Sequence, residues 1–187
     1  AAMSQDRFDI QTAAVIGAGT MGRGIVMSLA NAGVQVRWLD NNPGMLEQAL
    51  SVVADTYAHN VRQGRIDETQ AAARRACVSK AADYQALADV DLVIEAVYEN
   101  LELKQNIFRE LDGIVKPSGI LASNTSALDI DAIASVTKRP EQVVVTVRVG
   151  VLAVNTPIHL RPAPGVQHVV EANLVGHDGE RHRVRLI

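Results

Sequence analysis

The chain has 187 residues, of which 48% are hydrophobic and 21% charged, with a formal net charge of −3; these are proportions of an ordinary globular domain, not of a disordered or membrane-embedded chain. The length suits one main domain with an appendage rather than two full domains, and the near-balanced charge argues against nucleic acid as a partner. No run approaches the roughly eighteen apolar residues of a spanning helix, and the opening AAMSQDRFDI lacks the succession of a signal peptide, so the expectation is a cytoplasmic protein without membrane contact.

Cys77 is the single cysteine. It excludes an internal disulfide and a multi-cysteine metal site, fits a reducing compartment, and reads as a small buried side chain. Charge is spread unevenly. Residues 1–142 carry 13 basic and 18 acidic side chains, whereas 143–187 carry 5 Arg, no Lys and 3 acids, four of the five His, and no Phe, Trp or Tyr. That shift puts a boundary after residue 142.

In chain order, the apolar run 13–16 lies between a polar segment and a glycine cluster and predicts a strand buried on both faces. A helix follows, ended by Asn31-Ala32-Gly33 as a glycine C-cap ends one. Residues 34–39 predict a second strand. Pro43 suits the first turn of a helix reaching to about 62, where Gln63-Gly64 breaks it, and a partner helix covers 67–76. A short strand at 77–79 and a clear one at 91–96 come next, then a helix over 101–111, a strand at 120–122 and a helix over 128–135. Regular strand–helix alternation predicts an α/β doubly wound, mostly parallel sheet.

Gly17-Ala18-Gly19-Thr20-Met21-Gly22 matches G-x-G-x-x-G, and its place between a buried strand and a helix is what makes it specific. Gly17 serves the tight turn, Gly19 lets backbone approach a pyrophosphate, and Gly22 lets helix and strand pack closely. Thr20 and Met21 open the helix, whose N–H groups and dipole stabilise an anion without a basic side chain. Asp40 ends the second strand 18 residues after Gly22, where a carboxylate accepts hydrogen bonds from both adenine-ribose hydroxyls. It would repel a 2′-phosphate, and Asn41 and Asn42 offer no offsetting cation, which favours NAD over NADP. Two alternatives stay open at this point: a flavin dinucleotide, and a glycine turn that merely packs a helix, with Asp40 capping the helix at Pro43.

Four segments, AVIGAGTMGRG (14–24), DLVIEAVYENLELK (91–104), SNTSAL (123–128) and KRPEQV (138–143), resemble the 3-hydroxyacyl-CoA dehydrogenase family in order and spacing. The likeness is greatest to the dehydrogenase part of bacterial fatty-oxidation multifunctional proteins. The resemblance implies a Rossmann NAD-binding domain and NAD-dependent oxidation of 3-hydroxyacyl-CoA to 3-oxoacyl-CoA. It implies that Ala96, Glu99 and Lys104 approach the nicotinamide half of the cofactor, and that Ser126, with Asn124, is a candidate catalytic residue contacting the substrate oxygen. On physical grounds alone, Glu99 and Lys104 read as a solvated surface pair and 123–126 as a turn with a helix N-cap.

The resemblance stops after residue 143. The family continues into a strand ending in its general-base His, and Val147 stands at that position; His159 falls near the family's Glu partner to that base. A valine accepts no proton, and the family's helical C-terminal domain has no counterpart in the remaining residues, so the expectation is NAD binding with weak or absent turnover. The tail itself reads as β structure over 143–154, 166–175 and 180–187, with a hairpin turn at 176–179 and an edge that a second copy of the chain could pair with. His159, His168, His177 and His182 lack ligand spacing, so no metal is expected. The remaining alternatives are a non-catalytic NAD-binding module, and a dehydrogenase for a free β-hydroxyacid, which SNTSAL and ENLELK disfavour.

Overall fold

The computed structural model describes residues 7–125, 127–147, 159–162, 171–175 and 181–185. Six strands form one parallel sheet: β2 (Thr12–Ile16), β3 (Gln35–Leu39), β4 (Val78–Lys80), β5 (Leu92–Glu95), β6 (Ile120–Ser123) and β7 (Val143–Val147). Their spatial order is β4-β3-β2-β5-β6-β7, and β8 (His159–Pro162) joins antiparallel to β7. Strand order reverses beside β2, which creates a crevice at the carboxyl ends of β2 and β5. A second sheet pairs β1 (Arg7–Ile10) in parallel with β9 (Glu171–Val175), and β9 antiparallel with β10 (Arg181–Arg185). The predicted turn at 176–179 lies outside the described residues, as do 148–154 of the predicted tail strand. Neither β1 nor β8 is foreseen by the sequence pattern.

The strands are buried on both faces because helices cover both. Successive side chains alternate, so Ala13 and Val15 of β2 pack beneath α1 (Thr20–Asn31), α2 (Pro43–Arg62) and α3 (Glu68–Ala76), against Ile25, Leu29, Val53 and Tyr57. Ala14 and Ile16 belong to the opposite core, beneath α4 (Leu101–Ile114) and α5 (Ile130–Ala134), with Phe108, Leu111 and Ile133. Helix ends follow local chemistry. Gly33 adopts φ 78°, and the Val34 N–H returns to the Leu29 carbonyl to close α1. Asp67 and Gln70 form a capping box at α3. α5 is shorter than predicted because the Thr125 hydroxyl accepts the Leu128 N–H in a turn and Asp129 caps the helix only from residue 130. Cys77 is buried, as its small apolar character suggests.

Two charged side chains secure the fold away from the crevice. Arg139, 7% exposed, donates to the carbonyls of Asp112, Val115, Lys116 and Gly119 and to the Asp112 carboxylate, so one guanidinium satisfies the end of α4 and the turn after it. At the amino edge of the sheet, the Asp91 carboxylate accepts the N–H groups of Gln11 (2.8 Å) and Thr12 (3.1 Å) and the Lys116 ammonium (2.6 Å). Burial pushes this carboxyl up, but those donors outweigh it and hold it below the ordinary value. A depressed carboxyl stabilises the fold above its unfolded-state value and ceases to do so as pH falls through its folded value. Asp91→Asn is therefore expected to lower stability by about 1 kcal/mol at neutral pH, with the difference from wild type shrinking as the pH falls through the lowered value of the folded-state carboxyl; thermal unfolding across pH checks this. Among the described residues no helix is long and apolar enough to cross a membrane.

Candidate functional site

The loops leaving β2, β3, β5 and β6 meet at one sheet edge, stitched by backbone bonds that extend the ladder beyond the strands. The Gly17 N–H donates to the Leu39 carbonyl, Ala96 to Ile16, and Asn124 to Glu95, at 2.9, 2.8 and 2.7 Å. Gly17 takes φ +113° and lies so near the β5 loop that a Cβ there would stand 2.4 Å from the Ala96 carbonyl oxygen. A Cβ on Gly22 would stand 2.0 Å from the Gly17 oxygen, so α1 rests directly on the turn. Beside Gly19 the opposite holds: an added Cβ meets nothing within 4 Å. Gly19 is the N-cap of α1 and brings no side-chain cap, which leaves first-turn N–H groups facing the crevice.

A cleft of about 550 Å³ opens there, lined by residues 17–21, Asp40, Ala96 and Tyr98 among others. Met21, Met45, Tyr98 and Leu103 are the exposed large hydrophobic side chains among the described residues, and all four line this cleft. Apolar side chains gathered round a concave site are the mark of a ligand pocket rather than of random surface. Tyr84 forms part of the wall; burial, with the charges of Glu110 and Glu95, pushes its phenol above the ordinary value, so it stays neutral. Asp40 sits half-buried at the end of β3 and accepts the N–H groups of Ala18 and Asn42, each at 2.8 Å. It does not cap α2. That role belongs to Asn42, whose side chain accepts from Gly44 and Met45.

Glu99 and Lys104 are not among the residues lining the cleft, although Val97, Tyr98 and Leu103 beside them are, and the structure corrects the physical reading of the two as a solvated pair. Lys104 is wholly buried and donates to Glu95 at 2.7 Å, with Glu99 at 3.5 Å and the carbonyls of Val97 and Asn124 at 3.4 Å. Glu95, also wholly buried, accepts the Ser123 hydroxyl (2.6 Å) and the Val97 N–H (2.8 Å) besides the ammonium. Glu99 is 43% exposed and accepts the Thr125 hydroxyl at 2.7 Å, bridging the β5 and β6 loops. Sequence reasoning missed Glu95 and Ser123. A signal was present: an acid closing an otherwise apolar strand, and a Lys in the first turn of a helix, against the dipole.

Thr20, Met21 and Ala96 line the cleft, and Asn124 sits beside the Glu95–Lys104 pair through its backbone. Ser126 lies outside the described residues. Val147 is the last residue of β7 and pairs in register with His159. Among the described residues no group of three His, Cys, Asp or Glu side chains converges as a metal site would require.

The donor set fits a dinucleotide: uncapped N–H groups and open space beside Gly19 for a pyrophosphate, and a carboxylate at the end of β3 for ribose hydroxyls. The fold and this crevice define a Rossmann-like NAD-binding domain. The family described as 3-hydroxyacyl-CoA dehydrogenase, NAD binding domain, matches residues 12–147, and the chain belongs to that family. It is 44% identical over 135 residues to a peroxisomal bifunctional enzyme of Danio rerio, covering 72% of this chain and 18% of that protein. A 3-hydroxybutyryl-CoA dehydrogenase of Clostridioides difficile is 39% identical over 131 residues, covering 70% of this chain and 47% of that one. Among solved structures, 3-hydroxybutyryl-CoA dehydrogenase from Escherichia coli superposes with a TM-score of 0.78 at 30% identity, over 89% of this chain and 39% of that one. The chain thus spans less than half the length of these relatives.

Proposed function

We propose that this chain is the nucleotide-binding part of a dehydrogenase that oxidises 3-hydroxyacyl-CoA to 3-oxoacyl-CoA, and that on its own it binds NAD but turns over poorly. The observation that carries the reading is the pairing of two features at one sheet edge. A glycine turn with Asp40 suits the adenosine and pyrophosphate, and the Glu95–Lys104–Glu99–Thr125 network suits the nicotinamide end. Bound NAD supplies the hydride acceptor. The chain's own residues bind and orient: the α1 N-terminus neutralises the phosphates, Asp40 selects an unphosphorylated ribose, and Glu99 and Lys104 shape the nicotinamide end. Asn124 and Ser126 are assigned to the substrate oxygen. Removing the hydroxyl proton calls for a base that Val147 is not, and such help is worth roughly 10²–10⁴-fold.

The names of the relatives favour a 3-hydroxyacyl-CoA as substrate class. Acetoacetyl-CoA added to the NADH-saturated 187-residue chain is expected to leave the NADH absorbance nearly constant. Rapid NADH consumption that disappears in Ser126→Ala would overturn the assignment of poor turnover, and failure to bind NADH would overturn the whole reading.

A further inference from the structure

The Gly17–Ala18 peptide is held from both sides by the end of β3 and the residue that follows it. Trp38, fully buried, donates its indole Nε1–H to the Gly17 carbonyl at 2.8 Å, while the Ala18 N–H donates to the Asp40 carboxylate at 2.8 Å. The two holding side chains are two residues apart, Trp38 in β3 and Asp40 directly after it. The Gly17 oxygen also abuts Gly22 so closely that no Cβ fits between them, and Trp38 Nε1 would be 3.8 Å from such a Cβ. This carbonyl is therefore enclosed by α1 and the indole, and the indole N–H is the partner that satisfies it. Rotating the peptide would strand the carbonyl and turn an oxygen, rather than an N–H, toward the Asp40 carboxylate. Trp38 and Asp40 thus favour the same peptide orientation, and that orientation leads the chain into the first turn of α1.

We propose that Trp38 is a positioning residue for the cofactor: its indole N–H fixes the first peptide of the phosphate-binding turn and thereby preorganises the pyrophosphate site. The indole contributes through hydrogen-bond donation, not only through volume, and without touching the ligand. The inference rests on the NAD-binding reading, and wild-type titration tests that reading separately. A purely structural Trp38 would lower stability when altered and leave affinity alone; a positioning Trp38 moves affinity as well.

The experiment measures NADH affinity by calorimetry, and thermal stability, for the full chain in four forms. These are wild type, Trp38→Phe, Trp38→benzothienylalanine and Tyr57→Phe. The benzothienyl side chain keeps the bicyclic shape and replaces only the N–H, and Trp38 is the chain's single tryptophan, so residue-wide replacement is site-specific. Tyr57→Phe removes another hydrogen bond, part-buried, from Tyr57 to Asn31 at 2.8 Å, at the opposite end of α1 from the turn. The expected result is a rise in Kd of about tenfold for both Trp38 variants, corresponding to one lost hydrogen bond, and no change in Kd for Tyr57→Phe despite its lower stability. If Trp38→Phe fails to fold, the benzothienyl variant decides. A folded benzothienyl variant whose Kd lies within twofold of wild type overturns the proposal. Absence of NADH binding in wild type would instead overturn the cofactor reading beneath it.

Discussion

Gly22→Ala is expected to raise the Kd for NADH about a hundredfold and to destabilise the fold by about 3 kcal/mol, an effect at the upper end of overpacking changes. The new methyl would stand 2.0 Å from the Gly17 oxygen and 2.9 Å from its carbonyl carbon. Neither atom belongs to a flexible side chain, so either α1 lifts from β2 or the turn is displaced. Both movements carry the first-turn N–H groups away from the pyrophosphate, and misplacement by an ångström is costly where donors must be aimed. Gly19→Ala provides the contrast. Its methyl meets nothing within 4 Å in the protein, so the unfolding temperature should stay near that of wild type while NADH binding weakens, because the methyl occupies space the pyrophosphate needs. Calorimetric titration and thermal unfolding of the two variants separate a steric role in the fold from one in the site.

Lys104→Met is expected to lower stability by about 3–5 kcal/mol, the usual cost of leaving a buried charge without its partner. Glu95 would keep the Ser123 hydroxyl and the Val97 N–H but lose the ammonium at 2.7 Å, at a position where both side chains are fully buried. For a domain of this size that corresponds to a fall in Tm of roughly 10 °C. Combining Lys104→Met with Glu95→Gln should recover much of the loss, since a neutral amide no longer requires a cation. NADH affinity should remain weakened in the double variant, because Glu99 and the β5 loop lose the lysine that ties them to the β6 loop. A fall in Tm of only a degree or two in Lys104→Met would contradict the view of this pair as the anchor of the nicotinamide end.

Much of this arrangement is legible in the sequence, and the parts that are not share a physical cause. The run 13–16 with Gly17, Gly19 and Gly22, and Asp40 after the next strand, is a local pattern in which each residue is bound to backbone geometry near it, so spacing alone locates the glycine turn between β2 and α1. Glu95, Lys104 and Ser123 meet only after the chain has passed through α4 and into β6, and the local signals, an acid closing an apolar strand and a lysine in a helix's first turn, do not say which groups they meet. The same holds for Trp38, which on composition is one more apolar residue of a buried strand and whose indole N–H finds its acceptor 21 positions away. Arg139 belongs to a segment carrying family resemblance, yet its described contacts are to the end of α4 and the turn that follows, a structural role that sequence likeness does not distinguish from a functional one. Helix α5 begins late because two side-chain turns precede it, a competition that helical patterning over 128–135 does not register.

The most direct test of the central claim, that the crevice beside β2 binds NAD, is a titration of the full chain with NADH while the emission of Trp38 is followed. That residue is the only tryptophan and lies beneath Gly17, so energy transfer from its indole reports occupancy of this turn. Saturable quenching of Trp38 with matching sensitised NADH emission, reversed by ADP-ribose and far weaker with NADPH because of Asp40, is the predicted result. Unquenched emission at millimolar NADH, or equal affinity for NADPH, would contradict it.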